Sequence, residues 1–280
     1  MTTRGIALLV GHTKCGTGFI DQAVRETGSV AICGSNEIAG LTVHEIQSFG
    51  KDQPLYAYHQ NAVHIPQYLE KLQALKGPVF IIYRNPVDAA LSLVRQVLQG
   101  RDGPVNVGVN QEILVNVQTL GNAYEEFVEG AFREIIVDRY DYDRTSRVVR
   151  EAFPAEQIKE YLFEDVVGGS SDYFKNLSHA LGVNISPLHH RYSATFAPRN
   201  RLLYHATGWL YHRLTGKNSS IARHAATDEK SWSPFSILYR LNEMPASNHL
   251  TEYQRRDVLQ NLPFDYSSFL ARTGLNPNWQ

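Results

Sequence analysis

An α/β fold, a parallel β-sheet flanked by helices on both faces, is what this chain of 280 residues predicts. Three observations carry the prediction. Two runs, Ile6–Val10 and Val79–Tyr83, contain no charged residue and no alternation of polar with apolar, as strands buried on both faces require. Each run is followed by a turn and then by an amphipathic helical pattern. Strands and helical patterns then alternate over the first two-thirds of the chain, the arrangement of a sheet covered on both sides.

The first strand leads into Gly11-His12-Thr13-Lys14-Cys15-Gly16-Thr17-Gly18-Phe19, and an amphipathic helix runs from Phe19 to about Arg25. Strand, glycine loop and helix aim backbone N–H groups and a helix N-terminus at an anion. The loop therefore reads as a cradle for a phosphate or sulfate group, with Lys14 adding a positive charge. The plainer alternative is a glycine-rich turn with a solvated lysine. Gly11 and Gly16 have the spacing of the Walker pattern, but Thr17 stands where its lysine belongs, which disfavours an ordinary ATPase or GTPase.

Residues 30–32 predict a short strand, and 34–53 a Gly- and Ser-containing loop with a short helix. Leu55–His59 is a strand introduced by Pro54, and Pro66 opens a helix that Gly77-Pro78 ends. The second apolar strand ends at Arg84-Asn85-Pro86-Val87-Asp88-Ala89-Ala90-Leu91-Ser92. Asn85 suits an N-cap and Pro86 the first helical position. Arg84 thus stands at the carboxyl end of a strand, where α/β sheets bind ligands. Asp88 and Ser92, four apart, share a helix face. A loop at 100–104 precedes a helix over about 110–130. Residues 134–137 either extend that helix or form a strand, and Asp138 follows them. A helix over 143–153, a strand over 158–163 running into Glu164-Asp165, and a helix from Tyr173 to Leu181 stopped by Gly182 complete this part. Residues 184–248 read as aromatic, basic and irregular. Residues 250–273 are helical with a break at Pro263.

Composition narrows the function. With 27 Lys+Arg against 28 Asp+Glu the formal charge is −1, which argues against a general nucleic-acid binder. An anionic ligand must then meet a local basic cluster. The two cysteines, Cys15 and Cys33, are expected as free thiols in a reducing compartment. No secretory pattern and no apolar run of membrane-spanning length is present, so a soluble cytoplasmic protein without stable membrane insertion is expected. No convincing metal-ligand spacing stands out, and His189-His190 lacks partners at recognisable intervals.

Three stretches, in order, resemble the sulfotransferases that use 3′-phosphoadenosine 5′-phosphosulfate (PAPS), enzymes of a P-loop-like α/β architecture. Lys14-Cys15-Gly16-Thr17-Gly18-Phe19 resembles the family's K-[SC]-G-T-T-x loop, with Gly18 for the second threonine. Arg84, Asn85, Pro86, Asp88 and Ser92 match its R-[ND]-P-x-D-x-x-x-S motif, and Phe163-Glu164-Asp165-Val166 with Leu181-Gly182 match a later one. The resemblance implies a single domain over 1–280, with a nucleotide-binding core at 1–182 and an irregular and helical part at 183–280. It implies that Lys14, Cys15, Gly16, Thr17 and Gly18 hold the 5′-phosphosulfate, that Arg84 and Ser92 hold the 3′-phosphate, and that Phe19 and Phe163 lie against adenine. Both aromatics also suit core packing. His59 falls at the family's general base, seven residues before Pro66, with His64 a rival and a carboxylate the substitute in some relatives. Arg191, Arg199 and Arg201 are candidates to close over the nucleotide, or equally a solvated loop. The activity implied is sulfuryl transfer, without metal, to a hydroxyl or amine of a small-molecule, lipid or carbohydrate acceptor, with Lys14, His59 and Ser92 catalytic. Two rivals stand beside it: a non-catalytic nucleotide binder, and a kinase-like P-loop enzyme with Asp138 on Mg²⁺.

Overall fold

Strands form where unbroken apolar runs leave no face for water. In chain order the elements are β1 (Ile6–Val10), α1 (Thr17–Arg25), β2 (Ala31–Cys33), α2 (Ser35–Gly40), α3 (Val43–Ser48), β3 (Leu55–His59), α4 (Pro66–Gln73), β4 (Val79–Tyr83) and α5 (Pro86–Leu98). They continue as α6 (Tyr142–Ala152), β5 (Ile158–Leu162), α7 (Phe163–Gly168), α8 (Tyr173–Leu181), β6 (Ala197–Pro198), α9 (Arg201–Thr215), α10 (Pro234–Asn242), β7 (Glu243–Met244), α11 (Glu252–Gln260) and α12 (Tyr266–Thr273). The computed structural model describes residues 4–12, 14–98, 128, 133, 136–137, 139–188, 197–198, 201–215, 234–244, 250–264, 266–275 and 279.

β1 to β5 form one parallel sheet in the order β2-β3-β1-β4-β5. Every residue of β4 is buried, and Ala7 to Val10 of β1 are buried too, so the two apolar runs are the central strands. Parallel pairing forces crossovers, and these are right-handed. The chain leaves β1 toward β2 on one side but passes from β3 to β4 on the other, so α1 and α4 cover opposite faces. Contacts agree: Phe19 of α1 meets Phe174 of α8, with ring centroids 5.9 Å apart, while α4 packs with α2 and α6. Fully buried Tyr56, Tyr83, Tyr140, Tyr142, Phe80 and Phe269 fill much of the core.

Local chemistry explains the helix ends. Asn85 Oδ1 accepts the amides of Val87 and Asp88, at 3.0 and 3.4 Å, and so caps α5. Thr42 and Glu45 form a capping box at α3. Gly169 and Gly182 end α7 and α8 in the left-handed conformation. Arg4 donates to the carbonyls of Gln47, Phe49, Gly50 and Gln53, tying the start of β1 to the end of α3.

Two expectations need correcting. Among the described residues, 184–248 include the helices α9 and α10 and the antiparallel pair β6–β7, where an irregular stretch was expected. Phe163 opens a helix instead of ending a strand. Ile136 and Val137 are helical, which decides the ambiguity at 134–137 for the described residues.

The backbone groups into two compact units. One comprises Met1–Ala89, Ile136–Tyr192 and Pro263–Gln280, and it contains the five-stranded sheet. The other comprises Ala90–Ile135 and Ser193–Leu262 and contains α9, α10 and α11. The first unit draws on both sides of residue 182.

Candidate functional site

A sheet of this order has one seam, between β1 and β4, where the chain leaves neighbouring strands in opposite directions. Such a seam opens a crevice beyond the carboxyl ends of the strands. The glycine loop after β1 and Arg84 after β4 are the two segments that flank it.

The loop backbone alternates in sign. Lys14 has φ 70° and Gly16 φ 93°, Cys15 between them does not have positive φ, and Thr17 begins α1. Alternation of left- and right-handed residues turns successive N–H groups toward one point, the arrangement called an anion nest. A left-handed lysine is strained, and such strain gathers at ligand clamps. Gly16 is required twice over. Its φ favours glycine, and a Cβ there would stand 2.7 Å from the Phe163 ring. The N-terminus of α1 continues the row of donors with Thr17, which is buried, and Gly18, which is exposed.

Arg84 joins the two flanks. Its Nη1 donates to the Lys14 carbonyl at 3.0 Å, and its guanidinium lies over the Phe163 ring at 4.7 Å from the centroid. Phe163 therefore packs on both Gly16 and Arg84. Lys14, Gly16, Arg84 and Phe163 thus meet at one end of the sheet. Glu164 turns its carboxylate to the Asn85 amide at 3.2 Å. Burial raises that carboxyl, and the backbone amides and Arg84 pull the other way.

Tyr142 holds the arrangement from below. Its hydroxyl donates to the Arg84 carbonyl at 2.6 Å, lies 3.4 Å from the Arg84 amide as acceptor, and lies 3.8 Å from Cys15 Sγ. Burial pushes the Cys15 thiol up to about 12, so it stays protonated. Cys15 and Cys33 are both free and buried. Nothing local in the sequence pointed to Tyr142, one of 15 tyrosines.

His12 is the second residue that sequence reasoning missed. It is 1% exposed, and neither ring nitrogen has a hydrogen-bond partner among the described residues. Its ring sits among Tyr142, Tyr140, Tyr83 and His64, at centroid distances of 5.0, 6.0, 6.3 and 5.9 Å. Burial, with His64 adding to it, lowers it to about 3. The Arg139 backbone opposes that shift without reaching hydrogen-bond geometry.

The two candidate bases differ. His59 ends β3 opposite Val10, is buried, and lies tilted against Tyr68 with ring centroids 4.2 Å apart. Its Nδ1 accepts the Asn61 amide at 3.1 Å, which keeps the proton of the neutral ring on Nε2. Burial and the nearby Lys71 lower it to about 4. His64 is half-buried and edges toward His12, two residues before Lys14. Arg139 Nη1 donates to Asn61 Oδ1 at 3.2 Å on the same side.

Phe19 faces Phe174 across α1 and α8. Ser92 is buried on α5, one turn beyond Asp88, and belongs to the second unit. Thr13, Asp138, Arg191 and Arg199 lie outside the described residues. No group of three or more His, Cys, Asp or Glu within reach of one metal ion occurs among the described residues.

No family model and no curated protein matches this chain. Among solved structures it is similar to a sulfotransferase from Alicyclobacillus acidocaldarius, with 15% identity, a TM-score of 0.45, and coverage of 79% of this chain and 100% of that one. It is similar to mouse sulfotransferase SULT7A1 complexed with PAP, with 14% identity, a TM-score of 0.43, and coverage of 98% and 87%. It is also similar to the sulfotransferase domain of the curacin biosynthetic pathway, with 13% identity, a TM-score of 0.40, and coverage of 95% and 99%.

Proposed function

We propose that this chain is a sulfotransferase that moves the sulfuryl group of PAPS to a hydroxyl or amine of a small-molecule, lipid or carbohydrate acceptor. One observation supports the reading above all: the Arg84 guanidinium donates to the Lys14 carbonyl, so the residues expected at the two anionic ends of one nucleotide meet at the β1–β4 seam. The donor supplies an activated sulfuryl group and leaves as adenosine 3′,5′-bisphosphate.

The chain's own residues divide the work. The amides of Gly16, Thr17 and Gly18 and the Lys14 ammonium hold the phosphosulfate, while the Cys15 amide donates to the His12 carbonyl at 3.3 Å and shapes the loop, and Lys14 stabilises charge on the bridging oxygen as the S–O bond breaks. Arg84 and Ser92 hold the 3′-phosphate, and Phe163 supports Arg84 from behind. The acceptor oxygen bonds to sulfur while its proton passes to a base. The Nε2–H tautomer of His59 is a donor, so the geometry favours His64 for the proton and gives His59 a hydrogen bond to offer.

Calorimetry and thermal shift with adenosine 3′,5′-bisphosphate, against ATP with Mg²⁺, test the site. Selective stabilisation by the bisphosphate, about 2.7 kcal/mol at a hundredfold excess over Kd, is expected. Stabilisation by ATP with Mg²⁺ alone points to the kinase-like reading. Binding with no transfer to any of a panel of hydroxyl and amine acceptors points to a non-catalytic binder. The Lys14→Ala variant is expected to fold and to lose ~10²–10³ or more in turnover, and near-normal turnover overturns its role.

A further inference from the structure

Helix α12 packs on α6, and α6 begins at Tyr142. Tyr266, Phe269 and Arg272 follow at intervals of three and so share one face of α12. Phe269, fully buried, meets the rings of Tyr83 and Tyr142 at centroid distances of 4.7 and 5.8 Å. Arg272 Nη1 donates to the Asp143 carbonyl at 3.0 Å, and its Nη2 lies 2.9 Å from the Asp143 carboxylate. Arg150, further along α6, donates to the Arg272 carbonyl at 3.3 Å. Gly274, with φ 69°, follows α12 in the left-handed conformation. Beyond that turn Trp279 packs on Tyr266 and on Tyr142, with ring centroids 6.0 and 5.8 Å apart.

Tyr142 is thus gripped twice, through its own ring and through the residue after it. The grip matters because of where the hydroxyl points. It donates to the Arg84 carbonyl at 2.6 Å and lies 3.8 Å from Cys15 Sγ, so it joins the end of β4 to the glycine loop. A tyrosine ring swings about its side-chain torsions unless neighbours fill the space around it. Tyr83 and Phe269 fill part of that space from the core, and Trp279, half-buried, fills another part. The Trp279 indole N–H has no hydrogen-bond partner among the described residues, so its ring acts by packing and not by donating.

We propose that Trp279 is a positioning residue for the nucleotide site: its ring holds the Tyr142 hydroxyl against the Arg84 backbone, and Arg84 faces the nucleotide. Arg272 supports the same hold through Asp143. The effect on affinity rests on the nucleotide reading, whereas the hold on Tyr142 is tested without any nucleotide.

Two measurements on the full chain test it. The first is alkylation by N-ethylmaleimide, followed thiol by thiol in mass spectrometry. Cys15 and Cys33 are both buried; Cys15 touches Tyr142, and Cys33 lies on β2 at the edge of the sheet. Trp279→Ala is expected to speed alkylation of Cys15 about two- to tenfold, the loss of one aromatic contact read as a larger open population, and to leave Cys33 unchanged. Arg272→Gln is expected to act in the same direction, and Trp279→Phe to restore the original rate. The second is calorimetry with adenosine 3′,5′-bisphosphate, which is expected to bind about two- to tenfold more weakly to Trp279→Ala. Added to Tyr142→Phe, Trp279→Ala is expected to weaken it no further. An unchanged Cys15 rate, equal acceleration of both thiols, or the full added loss of affinity in the Tyr142→Phe background overturns the proposal. If the unaltered chain does not bind the bisphosphate, the nucleotide reading fails, and the Cys15 rate still decides whether Trp279 holds Tyr142.

Discussion

Tyr142 offers one hydroxyl to the Arg84 carbonyl, the Arg84 amide and Cys15, and these contacts are buried or part-buried beneath the seam. Removing the oxygen leaves backbone groups of Arg84 without partners, at a cost of about 1–3 kcal/mol. Tyr142→Phe is therefore expected to lower the free energy of unfolding by that amount in urea, and to weaken adenosine 3′,5′-bisphosphate in calorimetry because Arg84 loses its fixed base. Unchanged affinity would show that Arg84 is held by Lys14 and Phe163 alone. The two histidines separate as sharply. Loss of a general base costs about 10²–10⁴ in turnover, so His64→Ala is expected to fall in that range, while His59→Ala retains the larger part of its activity. The opposite order restores His59 as the base. The places of Lys14, Gly16 and Arg84 at the ends of β1 and β4 were legible in the sequence because they depend on spacing within a loop and before a helix start. Tyr142 and His12 were not. Tyr142 lies 58 residues from Arg84, and only the folded sheet brings them together. His12 reads as an ordinary loop residue until its burial among tyrosines is seen.

At the scale of elements, the strand–loop–helix unit at the start of the chain depends on Gly16. Gly16→Ala meets two penalties, a left-handed φ and a Cβ at 2.7 Å from the Phe163 ring. The expected destabilisation is about 1–3 kcal/mol, with nucleotide binding lost because the nest and the Phe163–Arg84 stack are displaced together. A second change, Phe163→Ala, should relieve the clash and recover part of the stability in denaturant melts without recovering binding. No recovery would place the whole cost in the backbone. β1 and β4 were read from the sequence because a strand buried on both faces allows no polar position, and β3 because Pro54 marks where it starts. α9 and α10 were missed because apolar, aromatic, basic and small residues mix along them without one clear apolar face. Phe163 was assigned to the strand because an aromatic after Tyr161-Leu162 continues the strand pattern, yet it is the first residue of α7.

For the molecule as a whole, two histidines held neutral make stability depend on pH. His12 is lowered to about 3 and His59 to about 4, from 6.5 in an unfolded chain. Below pH 6.5 the unfolded chain therefore binds more protons than the folded one, and stability falls as pH falls until each folded value is passed. Each histidine contributes a slope of up to about 1.4 kcal/mol per pH unit. Urea unfolding at constant salt is expected to show a loss of about 2 kcal/mol between pH 6.5 and 5.5, and His12→Asn is expected to halve it. A flat profile over that interval would mean that protonation is accommodated in the native state. The strand order carries a consequence for biosynthesis. β1 emerges first yet lies at the centre, and its edge toward β4 stays open until Tyr83 has left the ribosome. Tyr142 and Phe163 follow later still. A nascent chain therefore displays its glycine loop before Arg84, Tyr142 and Phe163, the residues that pack against it, have been made.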